Sequence, residues 1–325
     1  MSSLSGRGRA LAGSASFHIE SPRTNLETKP VHWKKVSLIG VGLLGGSLGL
    51  ALKRRRLADA VVGFVRRPAS IAECEALGAV DLATLDLRQA VSGADLLVFC
   101  TPLAQMKSLL NQMLPLLKVG AIVTDVGSVK GSVVKQLEPL TAKARCHFVG
   151  SHPMAGSEKT GVTAARAELF NNAVCVVTPT QKTNPRALRA IARLWKDVGA
   201  RTIELSPEAH DDMVSRSSHL PHVVAATLAN LVLDPSHPKQ QGTLCANGFR
   251  DTTRVASGSP EMWRDIALAN RDNLGKALDT YIHGLDLFRR ALKRSDEAAL
   301  TKHFESARLR RNRWAAKAYT QASPE

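Results

Sequence analysis

The stretch Val36–Leu52, VSLIGVGLLGGSLGLAL, decides the fold of this chain. It opens as an apolar run of strand character and closes as a helix, and Gly40-x-Gly42-x-x-Gly45 falls at the junction. In that context each glycine has its own task. Gly40 permits the tight turn, Gly42 lets backbone approach a pyrophosphate, and Gly45 lets the helix pack on the strand. The helix N-terminus offers unpaired N–H groups and a positive dipole end to the phosphates. A dinucleotide site is therefore expected at Gly40, Gly42, Leu43, Leu44 and Gly45, with Thr101 and Pro102 after a later strand completing it.

The next strand ends in VVGFVRRPAS, Val61 to Ser70. Where NAD is selected, such a strand is followed by an acid that holds the ribose 2′-hydroxyl. Here Arg66 and Arg67 stand instead, and no carboxylate lies between Asp59 and Glu73. A guanidinium meets a 2′-phosphate with paired, charge-assisted hydrogen bonds. NADP is the expected cofactor, in preference to NAD. The plainer reading makes both arginines solvated loop residues of a basic protein.

Outward from this point strand and helix alternate. AVVGFV, ADLLVFCTP, AIVTDVGS, HFVGSHP, AVCVVTP and ARTIEL read as strands; segments near 43–56, 69–79, 104–118 and 186–198 read as helices. Apolar runs separated by helices predict a parallel sheet covered on both faces. The fold class is α/β, with a Rossmann-type domain over 34–205. Residues 206–325 carry long helical patterns and almost no strand signal, which predicts an all-helical domain. Helices of that length need a partner for their apolar stripe, so a homodimer interface is expected there. Residues 1–33 are Ser/Gly/Arg-rich and predict a disordered extension.

With 325 residues and 44% hydrophobic content, the chain reads as a two-domain globular protein. No apolar run is long enough to span a membrane. Five singly placed cysteines without a CxxC pair point to free thiols in a reducing, cytoplasmic setting and to no metal. The net charge of +16 is spread along the chain, densest in RLRRNRW near the end. No helix-turn-helix, zinc or RNA-stacking motif accompanies it, so nucleic acid is not an expected partner.

Two stretches lie where open α/β sheets bind ligands. TDVGSVK puts Ser128 just past a strand, and GSHPMAGSEKTG puts His152 at the end of the next, with Glu158 following. His219 and His222, three apart on a helix, lack an obvious third ligand for a metal. Trp263 taken alone reads as core, and Asp211 reads as an acid near a helix start.

Together with HDDMVSRSSHLPH and GFRDTTRVASGSPEMWRDI, these motifs resemble the prephenate/arogenate dehydrogenases of tyrosine biosynthesis over about 36–286. The resemblance implies a nucleotide-binding domain joined to a helical dimerisation domain. It implies oxidative decarboxylation of arogenate to tyrosine, or of prephenate to 4-hydroxyphenylpyruvate, with hydride transfer to the cofactor. His152 would be the general base, and Ser128 would bond the same substrate hydroxyl. Arg254 would bind a substrate carboxylate, with His222 and Ser218 lining the pocket and Glu158, Asp211 and Trp263 at its mouth. The NADP reading and the second histidine of SHLPH pull toward arogenate and prephenate respectively. Two alternatives stand beside this reading. A β-hydroxyacid dehydrogenase would need a lysine in the helical half, and none falls between Lys196 and Lys239. An inactive NADP-sensing regulator would not need Ser128, His152 and Arg254.

Overall fold

The computed structural model describes residues 30–157 and 159–322. The first half comprises β1 (Trp33–Ile39), α1 (Leu43–Arg54), β2 (Ala58–Phe64), α2 (Ala69–Ala76), β3 (Leu82–Thr84), α3 (Leu87–Val91) and β4 (Leu96–Phe99). It continues with α4 (Leu103–Met113), β5 (Ile122–Asp125), α5 (Gly131–Lys143), β6 (His147–Pro153), β7 (Val174–Thr178), α6 (Pro185–Asp197) and β8 (Arg201–Glu204). The eight strands form one sheet in the order β3-β2-β1-β4-β5-β6-β7-β8. Chain order reverses between β1 and β4, and the crevice at such a switch point is where these sheets hold ligands. One apolar cluster, including Leu38, Leu48 and Trp195, covers one face; another, including Ile39, Phe99 and Leu110, covers the other.

The all-parallel expectation fails at the far edge. β6 pairs parallel with β5 through His147–Val149, then antiparallel with β7 through Gly150–Pro153. β8 follows β7 and so also runs against the main sheet. Apolar strands read alike in either direction, so the sequence pattern carried no sign of this. The reversal has a local cause: β7 starts at the edge where β6 ends, and no crossover helix is needed. Residues 154–157 and 159–173 consequently stay at the ligand edge. There Val162 and Ala165 pack against Gly46 of α1, and the Arg166 N–H donates to Ser47 Oγ at 3.0 Å.

The start of the fold also lies earlier than expected. Trp33 is buried in β1, the Val31 N–H donates to Asp197 Oδ2 at 3.2 Å, and His32 Nε2 meets Asp59 Oδ1 at 2.6 Å. Residues 30–33 belong to the folded body, and the rest of the expected extension lies outside the described residues.

The second half comprises α7 (Pro207–Val214), a π-helical turn (Ser215–His219), α8 (Leu220–Val232), α9 (Asn247–Thr253), α10 (Pro260–Ala269), α11 (Arg271–Lys293) and α12 (Glu297–Ala322). Pro221 lacks the N–H that would bond back to the Ser217 carbonyl, and the chain widens into the π turn just before it. Leu231, Leu268, Ile282 and Leu285 remain at least half exposed along these helices. No helix among the described residues is long and apolar enough to cross a membrane.

Candidate active site

The nucleotide side is built by the turn between β1 and α1. Gly40 has φ of +98°, a conformation that side chains rarely adopt. A Cβ on Gly45 would lie 2.1 Å from the Gly40 carbonyl, so the helix reaches the strand only without one. A Cβ on Gly42 would meet nothing within 4 Å, which leaves open space at the N-terminus of α1. No side chain caps that terminus, so its first N–H groups remain available to an anion. Leu43 and Leu44 are half-buried at the start of the helix. Thr101 Oγ1 is buried beside Gly40 without a hydrogen-bond partner, and Pro102 caps α4 next to it. An uncapped helix end, an open glycine face and an orphaned hydroxyl together fit a dinucleotide. Arg66 and Arg67 are exposed past the end of β2, whose Phe64 pairs with Ile39 just before the glycine turn.

His152 sits in the last turn-ward residues of β6, beyond the end of β5, and is buried. Its Nδ1 lies 2.9 Å from Nε2 of His210 on α7, and His210 Nδ1 lies 2.8 Å from Asp211 Oδ1. Asp211 also accepts the N–H of Lys130 at 2.7 Å and of Gly131 at 2.8 Å, so it caps α5 from the other half of the molecule. Beneath this chain lies a second pair, the fully buried Lys130 and Asp125. Lys130 Nζ also donates to the Ser151 carbonyl at 2.8 Å, one residue before His152. Burial holds His152 well below the ordinary histidine range, reinforced by the neighbouring His210, Lys130 and His219, which disfavour a further positive charge there. His210 is likewise lowered by burial, with the hydrogen bond to Asp211 opposing. A neutral imidazole in this position is equipped to accept a proton.

The helical side supplies the remaining groups. His222 stacks on Trp263 with ring centroids 3.7 Å apart, and its Nδ1 meets the Ser218 carbonyl at 2.8 Å. Burial lowers His222, opposed by the Ser218 backbone, while Arg254 lowers it further, which places that guanidinium close by. His219 is buried on the π turn, with Nδ1 3.2 Å from Asn270 Nδ2 and Nε2 making no hydrogen bond of ordinary geometry. Burial brings it down to about 4, with the Asp211 carboxylate and Ser128 backbone pulling the other way. His219, His222 and Trp263 line a cavity of about 410 Å³ between α8, α10 and α11, within the usual range for small-ligand sites. Ser128, in the turn between β5 and α5, and Ser218 are half-buried and Arg254 is exposed, and all three lie outside that cavity's wall.

Among the residues expected at the pocket mouth, Trp263 is at the cavity, whereas Asp211 is not at an opening. It is buried, and both carboxylate oxygens are engaged by α5 and His210. Nor is it in the first turn of its helix, since α7 begins at Pro207. Glu158 lies outside the described residues. Sequence reasoning missed His210, Lys130, Asp125 and Asn270. The quoted motifs contained the first three, but nothing in spacing says that α7 and β6 meet. Among the described residues no cluster of three or more His, Cys, Asp or Glu is placed to hold a metal ion.

Comparison with known proteins agrees with this architecture. Residues 48–204 match the family model for the prephenate dehydrogenase nucleotide-binding domain, and residues 206–306 match that for the prephenate dehydrogenase dimerization domain. The chain is 36% identical over 283 residues to a prephenate dehydrogenase of Bacillus subtilis, covering 84% of this chain and 74% of that one. It is 36% identical over 285 residues to a cyclohexadienyl dehydrogenase of Zymomonas mobilis, covering 86% and 95%. Among solved structures, Aquifex aeolicus prephenate dehydrogenase with hydroxyphenyl propionate and NAD+ superposes with a TM-score of 0.82 at 32% identity, covering 88% and 99%. Synechocystis arogenate dehydrogenase superposes with a TM-score of 0.73 at 31% identity, covering 86% and 99%. A glycine turn open to a dinucleotide, a buried neutral histidine at the same sheet edge and a helical half matching a dimerization domain make this chain a member of the prephenate/arogenate dehydrogenase family.

Proposed function

We propose that this enzyme uses NADP in preference to NAD to convert arogenate to tyrosine, and also turns over prephenate, with His152 as its general base. The observation that carries the reading is a buried, neutral His152 at the sheet edge that also presents the open turn of α1. The bound nicotinamide supplies the hydride acceptor. The chain must then do three things: take the proton from the C4 hydroxyl, hold the carboxylates, and keep water out.

His152 accepts the hydroxyl proton as hydride leaves C4 and carbon dioxide leaves C1, a contribution of roughly 10²–10⁴ in rate. The ring becomes aromatic, so the step does not run backward. Ser128 donates to or accepts from the same oxygen. Arg254 pairs with a substrate carboxylate. The stacked His222 and Trp263 form the wall against which the ring lies, with Ser218 fixing His222 through its carbonyl.

The NADP preference rests on Arg66 and Arg67, which are exposed past β2 in the place of an acid. The homodimer reading rests on the half-exposed Leu231, Leu268, Ile282 and Leu285 in a half matching a dimerization domain.

The test is a set of initial rates of reduced-cofactor formation with arogenate and prephenate, each with NADP and with NAD, on wild type and His152→Ala. Arogenate with NADP is expected to be fastest. The His152→Ala enzyme is expected to lose at least about a hundredfold in kcat with cofactor affinity nearly unchanged. Full turnover by that variant would remove His152 from the mechanism. A faster rate with NAD would reverse the cofactor assignment.

A further inference from the structure

We propose that His210 is a positioning residue that fixes the tautomer of His152 and so makes it a base rather than a bystander. This rests on the reading of His152 as the proton acceptor. A neutral imidazole carries one proton on one of two nitrogens, and only the bare nitrogen can take a proton from substrate. The assignment follows from hydrogen-bond directions, beginning at Asp211.

Both oxygens of Asp211 already face backbone donors, Lys130 N–H at 2.7 Å and Gly131 N–H at 2.8 Å. A carboxylate so occupied is an acceptor only. Its partner 2.8 Å away, His210 Nδ1, must therefore carry the proton. His210 is fully buried, in surroundings that favour the neutral ring, so its other nitrogen, Nε2, presents a lone pair. That lone pair lies 2.9 Å from His152 Nδ1. Two lone pairs do not attract, so Nδ1 of His152 holds the proton and Nε2 is bare. The chain runs in one direction, from His152 Nδ1–H to His210 Nε2, and from His210 Nδ1–H to the Asp211 carboxylate.

The consequence for the reaction balances without a second proton transfer. The C4 hydroxyl proton moves to His152 Nε2, while the proton on Nδ1 stays in its hydrogen bond to His210. The imidazolium so formed keeps a neutral acceptor at its back and a carboxylate one ring further. Lys130, Asp125, His219 and Cys175 also face this pair, but none of them makes a hydrogen bond to either His152 ring nitrogen. Among the described residues, His210 sets the proton's place. The same carboxylate caps α5, so the tautomer is imposed across the boundary between the two halves.

The closing experiment reads the tautomer directly. In the full-length enzyme labelled with ¹⁵N-histidine, at pH 7.5 and without substrate, the unprotonated ring nitrogen is distinguished from the protonated one by its chemical shift. His152 is assigned by loss of its signals in His152→Ala. The expected result is a protonated Nδ1 and a bare Nε2 on His152; a protonated Nε2 would overturn the proposal even if His152 is the base. His210→Phe removes the acceptor, and His210→Gln keeps an acceptor oxygen near the position of Nε2. Where a buried carboxylate fixes a catalytic histidine in serine proteases, its conversion to an amide lowers kcat about 10⁴-fold. His210→Phe is accordingly expected to lower kcat about 10²- to 10⁴-fold with KM for either ligand within about threefold. His210→Gln is expected to restore most of that loss. Equal activity of the two variants, or a loss seen only in KM, would refute the positioning role. Turnover by His152→Ala would instead refute the underlying reading and leave the measured tautomer standing.

Discussion

Replacing Lys130 with methionine isolates the buried pair beneath the active site. Both side chains of the Lys130–Asp125 pair are 0% exposed. Methionine keeps most of the stem's volume, so packing changes little and the ammonium is what disappears. Asp125 would retain the Gly127 N–H at 2.9 Å and the long Ser151 N–H contact at 3.3 Å, and the Ser151 carbonyl would lose its Lys130 donor. A charge stranded in this way costs about 3–5 kcal/mol, far more than the pair contributes when intact. For a domain of this size that corresponds to a fall in Tm of roughly 6–20 °C. The assay is urea unfolding followed by circular dichroism at fixed protein concentration, because association itself stabilises. A second variant, Asp125→Asn with Lys130→Met, leaves a neutral amide that needs no counter-ion. It is expected to recover at least about 2 kcal/mol relative to the single variant. A single variant within about 1 kcal/mol of wild type, or a double variant no better than the single, would show that the buried charge is solvated in some other way.

Gly45→Ala puts a Cβ 2.1 Å from the Gly40 carbonyl, so α1 must shift and dinucleotide affinity, measured by fluorescence titration, should fall more than tenfold; unaltered affinity would refute the close-packing role. Arg66→Asp should shift the ratio of kcat/KM for NADP over NAD by about tenfold or more toward NAD, since a charge-assisted hydrogen bond is worth roughly 1.5–3 kcal/mol; an unaltered ratio would make the arginines solvated bystanders. Acid should destabilise the fold through its buried neutral histidines. His219 titrates at about 4 when folded and near 6.5 when unfolded, so the unfolded chain binds the extra proton in between and stability drops as pH falls through that window. His219→Asn should make the fall in urea midpoint between pH 6.5 and 4 shallower without abolishing it, because His152, His210 and His222 are shifted the same way.

Much of this was legible in the chain itself, for physical reasons that differ by residue. The glycine turn could be read because Gly40 and Gly45 answer local demands, a positive φ and a near-contact with backbone five residues away. The placement of His152 and Ser128 at the ligand edge could be read because both follow apolar strand runs in the sequence. The switch of direction at β7 could not, since Val174–Thr178 is equally apolar for either neighbour direction. Asp211 was misplaced for a related reason. Its position after a helix start suggested solvent or a dipole, and only tertiary contact with α5, 80 residues earlier, explains two of its three side-chain hydrogen bonds, the third being to its neighbour His210. The expected helix over 104–118 ends at Met113 because the following LPL, with Pro115, tightens into a 3₁₀ turn.

The cap that Asp211 places on α5 makes the junction between the halves a keyed joint. Swinging one half away from the other would pull the carboxylate off two backbone N–H groups and His210 off His152 in the same movement. Each donor left dry costs about 1–3 kcal/mol, so the joint resists small rotations and gives way, if at all, as a unit. The spacing between the open glycine turn and the stacked His222–Trp263 wall is thereby set by the protein's own framework before any ligand arrives. Loss of the Asp211 carboxylate is then expected to be felt in cofactor kinetics as well as in substrate binding.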